Sequence, residues 1–439
     1  MESMKNVAVI GGGIAGLTAA YRLSKNGYAI TLFEKDGALG GLAATFPYRE
    51  GAIEKYYHFI CLPDKPYHDL IDELGLSDKL VWRPTRMAYF VNGKYVPFGT
   101  PISLLKFPAL PFSSRLRFGL FTLEQKLRKS WEDLDELTAE DWLVRKLGRN
   151  AYEVLWKSLL EQKFGDRAAK ISAAWMWARI NRVANTRRGL LMREYLGYLK
   201  GGTQTLIDEL AARIRAHGGD IRTNIEVERI VVEKDRVVGI QVGSKTLEFD
   251  VVVSTVAPEL FVRMCDRLPG DFAARLSEIE YYGVACWTIV AKEALTDVFW
   301  LNVSDARISF PGVIEYTNLN PMTELEGLHV LYIPFYMSTQ DPRYSLEKEE
   351  WLGGILRQLE LVKKGFSRQV VDAFLFKDPY AQPVFVAGYS RLFQDLFDPR
   401  TPITGLYRID MSSIYPDDRS IVNAIDKGNL VASIVSASS

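Results

Sequence analysis

Three glycines and one acid carry the clearest chemical signal in the chain. Gly11, Gly13 and Gly16 stand in a G-x-G-x-x-G spacing directly after the apolar run Asn6 to Ile10. In that spacing the first glycine permits a sharp turn and the second lets backbone approach a pyrophosphate. The third lets a following helix pack closely on a sheet. Amides where that helix begins, around Ile14 and Ala15, would face phosphate oxygens. Glu34 ends a second apolar run about 20 residues further on, where a carboxylate accepts from both hydroxyls of an adenosine ribose and repels a 2′-phosphate. Strand, glycines, helix, second strand and terminal acid agree on a dinucleotide site.

The elements that must position this site can be read around it. Lys5 to Glu34 is strand, glycine turn, helix and strand, with Gly27 as the helix stop. After Lys35, the glycines Gly37, Gly40 and Gly41 allow a second close backbone approach. Gly201-Gly202-Thr203 opens an amphipathic helix with Leu206, Ile207, Leu210 and Ile214 on one face, ended by Gly218-Gly219. Ile221 to Ile225 reads as the next parallel strand, Val227 to Glu233 and Arg236 to Val242 as hairpin-like strands, and Asp250 to Thr255 as an apolar strand. Elsewhere Tyr67 to Leu74 has helical periodicity, and Trp82 to Val96 reads as a hairpin turned at Asn92-Gly93. Thr138 with Asp141 caps a helix. Strands are expected at Val284 to Ala291, Val313 to Thr317 and Val330 to Tyr336, with a helix near Glu347 to Val362.

The totals bound the rest. A chain of 439 residues suits two domains or one domain with insertions. Its 54 basic and 54 acidic residues cancel, and no basic stripe points to nucleic acid. Cys61, Cys265 and Cys286 lack C-x-x-C spacing, which argues for a reducing compartment and against disulfides or a metal site. The first strand follows the N-terminus closely and no apolar run reaches the ~18 residues of a spanning helix. A cytoplasmic protein is expected.

Glu34 followed by the Gly40-Gly41 pair resembles the flavin-containing amine oxidase and protoporphyrinogen oxidase superfamily, which includes phytoene-desaturase-like enzymes. Leu42 stands where the superfamily usually has arginine, which leans toward an outlying branch. The resemblance implies noncovalent FAD. It places His58, in EKYYHFI, beside the flavin, and Val227 where backbone meets the adenine. Asp410-Met411 stands where Gly-Asp is usual, and the last helix, starting near Ser420-Ile421, points its N-terminus at the flavin's pyrimidine edge. Reduction puts negative charge there, which free amides stabilise. The superfamily's amine oxidases carry a lysine that supports reaction with oxygen. Counted back from Lys292-Glu293 that position falls near Cys286, and no lysine occurs between Tyr281 and Ala291.

The implied architecture is α/β: a Rossmann-type FAD-binding domain interrupted by an α+β substrate domain with a mixed sheet and a helical insertion. The expected limits are 1–60, 200–258 and 395–439 for the first, 61–199 and 259–394 for the second. The implied chemistry is hydride removal from a C–N or C–C bond of a small-molecule substrate, with His58 as the catalytic candidate and Tyr316, Tyr332 and Tyr336 as substrate contacts. Trp175, Trp177 and Arg179 are read as helical core packing or as pocket lining. Asp417, Asp418 and Arg419 are read as an internal ion pair or a contact to a polar substrate. Residues 97–121, rich in proline and apolar side chains, read as a buried loop and helix or as a peripheral membrane surface. Two other functions fit the same residues: a non-redox flavoenzyme resembling UDP-galactopyranose mutase, and a protein that holds FAD without catalysis.

Overall fold

A computed structural model describes residues 5–189 and 192–438. Residues 1–4, 190, 191 and 439 fall inside the expected domain limits and lie outside the described residues. A five-stranded, wholly parallel sheet organises the chain termini, with strands in the order Asp220–Arg222, Ala29–Phe33, Asn6–Ile10, Val251–Ser254, Leu406–Arg408. The apolar runs form inner parallel strands because both sheet faces are covered. Helices Ile14–Lys25, Gly202–Ala216 and Ile421–Ala437 bury Leu17, Leu206 and Ile425 against Val7 and Val9 on one side. A three-stranded meander (Arg229–Glu233, Arg236–Val242, Lys245–Glu248) buries Ile230 and Ile240 with Ala8 and Val252 on the other.

The expected strand to Ile225 stops at Arg222. Asn224 turns with φ 56° and donates its amide to Asp36 O (3.0 Å), and Ile225 N donates to Glu34 O (2.9 Å). The chain leaves the sheet there to brace the loop behind Glu34. Helix Lys65–Glu73, inside the segment expected in the second domain, packs Tyr67, Leu70 and Ile71 into the same core as Leu17 and Ile425.

A second, seven-stranded mixed sheet runs in the order Val370–Pro383, Tyr281–Ala291, His329–Met337, Gly312–Glu315, Trp300–Ser304, Met87–Val91, Lys94–Phe98. The Asn92-Gly93 turn forms with φ 51° and 73°, but its hairpin begins at Met87. Trp82 belongs instead to strand Leu80–Thr85, which pairs with Arg193–Leu199 in another sheet. Strand Val370–Pro383 has no clear sequence signature, because Asp372, Lys377 and Asp378 interrupt its apolar residues. It forms by pairing along most of Tyr281–Ala291. Helices Phe112–Leu127, Ala139–Leu147 and Ala173–Ala184 cluster around Phe121, Trp142 and Trp175, with Thr138 Oγ1 accepting from Asp141 N (3.1 Å) as the expected cap.

Candidate active site

A cavity of about 790 Å³ lies between the parallel sheet, the mixed sheet and the helical insertion. Its wall unites Gly11, Gly13, Ile14, Ala15, Glu34, Lys35, Gly40, Gly41, Leu42, His58, Tyr336, Asp410, Met411, Ser420 and Ile421. At one end sits the glycine cradle. Gly11 has φ +105°, and a Cβ there would lie 2.3 Å from Thr255 Oγ1. A Cβ on Gly16 would lie 2.0 Å from Gly11 O, so only glycine lets the helix start against the turn. A Cβ on Gly13 would meet nothing within 4 Å, so the cradle opens into the cavity at that residue. Glu34 is held by backbone, Oε2 accepting from Gly12 N (2.7 Å) and Oε1 from Asp36 N (2.9 Å).

Deeper in the cavity, His58 Nδ1 lies 3.0 Å from Glu54 Oε2. A carboxylate only accepts, so this contact puts the proton on Nδ1. Glu54 is 3% exposed, and its Oε1 also accepts from Thr203 N (3.1 Å) and Tyr316 OH (3.2 Å), while its backbone oxygen accepts from Tyr332 OH (2.9 Å). Tyr316 and Tyr332 are therefore corrected: they do not line the cavity but lie beneath it, clamping the residue that holds His58. The expected alternation of Val330, Tyr332, Pro334 and Tyr336 is real, yet only Pro334 and Tyr336 reach the cavity wall.

Opposite lies a cluster of cations. Lys163 Nζ bonds Asp418 Oδ2 (3.0 Å), Arg179 Nη1 bonds the same oxygen (2.7 Å), and Arg419 Nη2 donates to Tyr336 OH (2.7 Å). Burial drives the Lys163 ammonium down to about 7, with Arg179 and Arg419 adding to the shift and Asp418 opposing it. Burial pushes the Asp418 carboxyl up, but Lys163, Arg179 and Arg419 outweigh it and hold the group well below the usual carboxylate range. Trp175 and Trp177 do not line the cavity and pack in the core, whereas Arg179 faces it. Sequence reading missed Glu54 and Lys163. Each stands in a stretch singled out for its aromatic and basic neighbours, EKYYHFI and LLEQKFG, but apart from the Glu54–His58 contact the hydrogen-bond partners, Thr203 for Glu54 and Asp418 for Lys163, are more than 140 residues away in the chain.

Residues 14–407 match the family model described as flavin containing amine oxidoreductase. The chain belongs to that family. It is 25% identical over 279 residues to a 15-cis-phytoene desaturase of Synechococcus elongatus, covering 57% of each chain. To a protoporphyrinogen oxidase 2 of Arabidopsis thaliana it is 28% identical over 158 residues, 35% of this chain and 31% of that one. The chain thus spans little more than half, or less, of these curated relatives. A crystal structure of reduced UDP-galactopyranose mutase superposes with a TM-score of 0.74 at 16% identity, covering 99% of this chain and 94% of that one, which speaks for the fold alone.

Membership of this flavin-containing family makes FAD the cofactor to test against the cavity. The residues fit the cofactor: the cradle is open at Gly13, Glu34 is pre-oriented, and Ser420 begins the last helix at the cavity, its hydroxyl accepting from Asn423 N (3.3 Å). Gly16 and Val227 stand off the wall. Gly16 acts through close packing, and the Val227 side chain is buried with the meander. Asp410 lines the cavity, yet its carboxylate is turned to Arg408, Ser412 N (2.8 Å) and Tyr281 OH (3.0 Å). Cys286, the position expected for the amine oxidase lysine, lines the cavity, and burial holds its thiol far above the usual range.

Proposed function

We propose that this flavoenzyme removes a hydride from carbon in an apolar or amphipathic small molecule, leaving a C=C or C=N bond, as desaturases and protoporphyrinogen oxidases do. FAD, when bound, supplies the hydride acceptor. On this reading the diphosphate rests on the cradle from Gly11 to Gly16 and the ribose on Glu34. The flavin lies between Gly40, Gly41, Leu42 and His58 on one side and Asp410, Met411, Ser420 and Ile421 on the other. The observation that carries it is the second arm of the cavity, walled by Phe98, Phe118, Phe121, Leu155, Trp156 and Leu159. Such an arm suits a hydrocarbon better than a small diamine. Cys286 in the lysine position argues in the same direction, against rapid transfer of electrons to oxygen. His58, with Nδ1 engaged by Glu54, keeps its other ring nitrogen for proton exchange in the cavity.

Anaerobic titration of the holoenzyme with porphyrinogen, polyprenyl, amine and sugar-nucleotide panels tests this. Flavin bleaching by a porphyrinogen or polyprenyl compound alone is expected. Bleaching only by NAD(P)H, followed by sugar isomerisation without net oxidation, would replace it with the mutase-like reading, which the shared fold accommodates.

The enzyme is further proposed to meet a membrane through residues 97–121 and the rest of that helix. Phe112, Leu116, Leu120, Leu123 and Leu127 form one outward stripe, 49 to 79% exposed, beside Ile102 and Leu105. Lys106, Arg117, Lys126 and Lys129 surround it in solvent. The opposite side of the same helix puts Phe118, Phe121 and Thr122 on the apolar arm, so the surface would sit over the substrate route. Among the described residues no helix is long and apolar enough to cross a membrane. Sedimentation with anionic vesicles, lost on combining Leu120→Glu with Leu123→Glu, is the expected outcome; equal sedimentation of that variant would remove the proposal.

A further inference from the structure

Lys163, Arg179 and Arg419 share the Asp418 carboxylate. Lys163 and Asp418 side chains are only 7% and 13% exposed. Of the neighbouring acids, Asp378 lines the same cavity and feels the Arg419 charge, whereas two others have their own partners. Asp64 takes Arg182 (2.8 and 3.2 Å), and Asp417 takes the Asn423 amide (3.2 Å). Aromatic faces hold the cations as well, with Lys163 Nζ 5.0 Å from the Trp175 ring centroid and 5.2 Å from that of Tyr336, and the Arg419 guanidinium 5.2 Å from Tyr336. Arg419 Nε is buried and has no hydrogen-bond partner. A buried donor without a partner is costly, and three cations around one bonded carboxylate leave other N–H groups to meet whatever fills the cavity.

Resting on the hydride-removal reading and deepening it, we propose that Lys163, Arg179 and Arg419 form a subsite for an acidic oxyanion, carboxylate or phosphate, carried by the substrate. The substrate class is then an amphipathic acid whose hydrocarbon occupies the arm beneath helix Phe112–Leu127. Guanidinium forks suit either oxyanion through paired N–H donors, and Lys163, Arg179 and Arg419 all line the cavity.

Calorimetric titration of the FAD-loaded protein with dodecanoate, dodecyl phosphate and dodecanol tests the proposal without requiring turnover. At least one of the two acids is expected to bind about tenfold or more tightly than the alcohol, the worth of one charged hydrogen bond. Whichever acid binds more tightly identifies the oxyanion. Arg179→Gln and Lys163→Met should each bring the acid toward the alcohol while leaving dodecanol binding unchanged. Equal binding of all three probes to the unaltered protein would overturn the subsite, whatever the variants do. Failure of the hydride reading would appear separately, as acid-selective binding with no flavin bleaching by any panel compound.

Discussion

The glycine cradle and the cation cluster face the same cavity but are built in opposite ways. The cradle is backbone: a turn, a helix start and one acid, all within residues 11 to 34, fixed by hydrogen bonds such as Gly12 N to Glu34 Oε2 at 2.7 Å. The cluster is side chain, drawn from a helix at 158–164, another at 173–184, and the loop before the last helix. Backbone sites tolerate almost no added atom but need no long-range partner. Side-chain sites depend on charges meeting across the fold, so they fail through electrostatics and not through sterics.

That difference can be broken first where the atoms are closest. Gly16→Val would drive its side chain into Gly11 O, and the expected outcome is loss of at least about nine-tenths of bound flavin, measured as flavin absorbance per protein. Asp418→Ala leaves the buried Lys163 and the half-buried Arg179 and Arg419 without their acid and should destabilise the protein by about 3 kcal/mol in denaturant unfolding, with the cradle intact. Glu54→Gln keeps the size of the clamp but disturbs His58, Thr203 N and Tyr316. A loss of about 1–3 kcal/mol is expected, with an altered pH profile of flavin reduction that Tyr332→Phe, at about 1 kcal/mol, does not share.

The smallest effect is a pH dependence confined to the cluster. Lys163, faced by Asp418, Arg179, Arg419 and Tyr336, titrates near 7 in the folded chain against an ordinary value of 10.5. Below about 7 both folded and unfolded chains carry the proton and the cost of burying it is complete. Between about 7 and 10.5 the unfolded chain binds more protons, so this group's contribution makes stability rise with pH. Acid-probe binding should run the other way and weaken as pH passes upward through 7. Lys163→Met should flatten both trends; unchanged trends would assign them to another group.

How much of this was legible follows from the same contrast. The cradle, Glu34 and the cap at Thr138 are local, and their hydrogen bonds join residues close in sequence, so spacing alone revealed them. Tyr332, expected from strand alternation, and Tyr316, expected as a polar group of the same sheet, fall short of the cavity wall, because sharing a face or a sheet does not say how far along it the cavity extends. Strand Val370–Pro383 was missed because its pattern is set by its neighbour Tyr281–Ala291 and not by its own residues. The charges of 417–419 were noticed, but their partners Lys163 and Arg179 lie more than 230 residues earlier.

By itself the sequence determined the dinucleotide turn, the order of the parallel strands' elements and the absence of a lysine near Cys286, since each rests on backbone sterics or on residue identity. Tertiary structure alone decided that Thr203, Tyr316 and Tyr332 clamp Glu54 beneath His58, that Asp418 gathers three cations, and that one helix presents leucines to solvent and phenylalanines to the cavity. Those facts depend on which distant surfaces are pressed together, and no local preference encodes that.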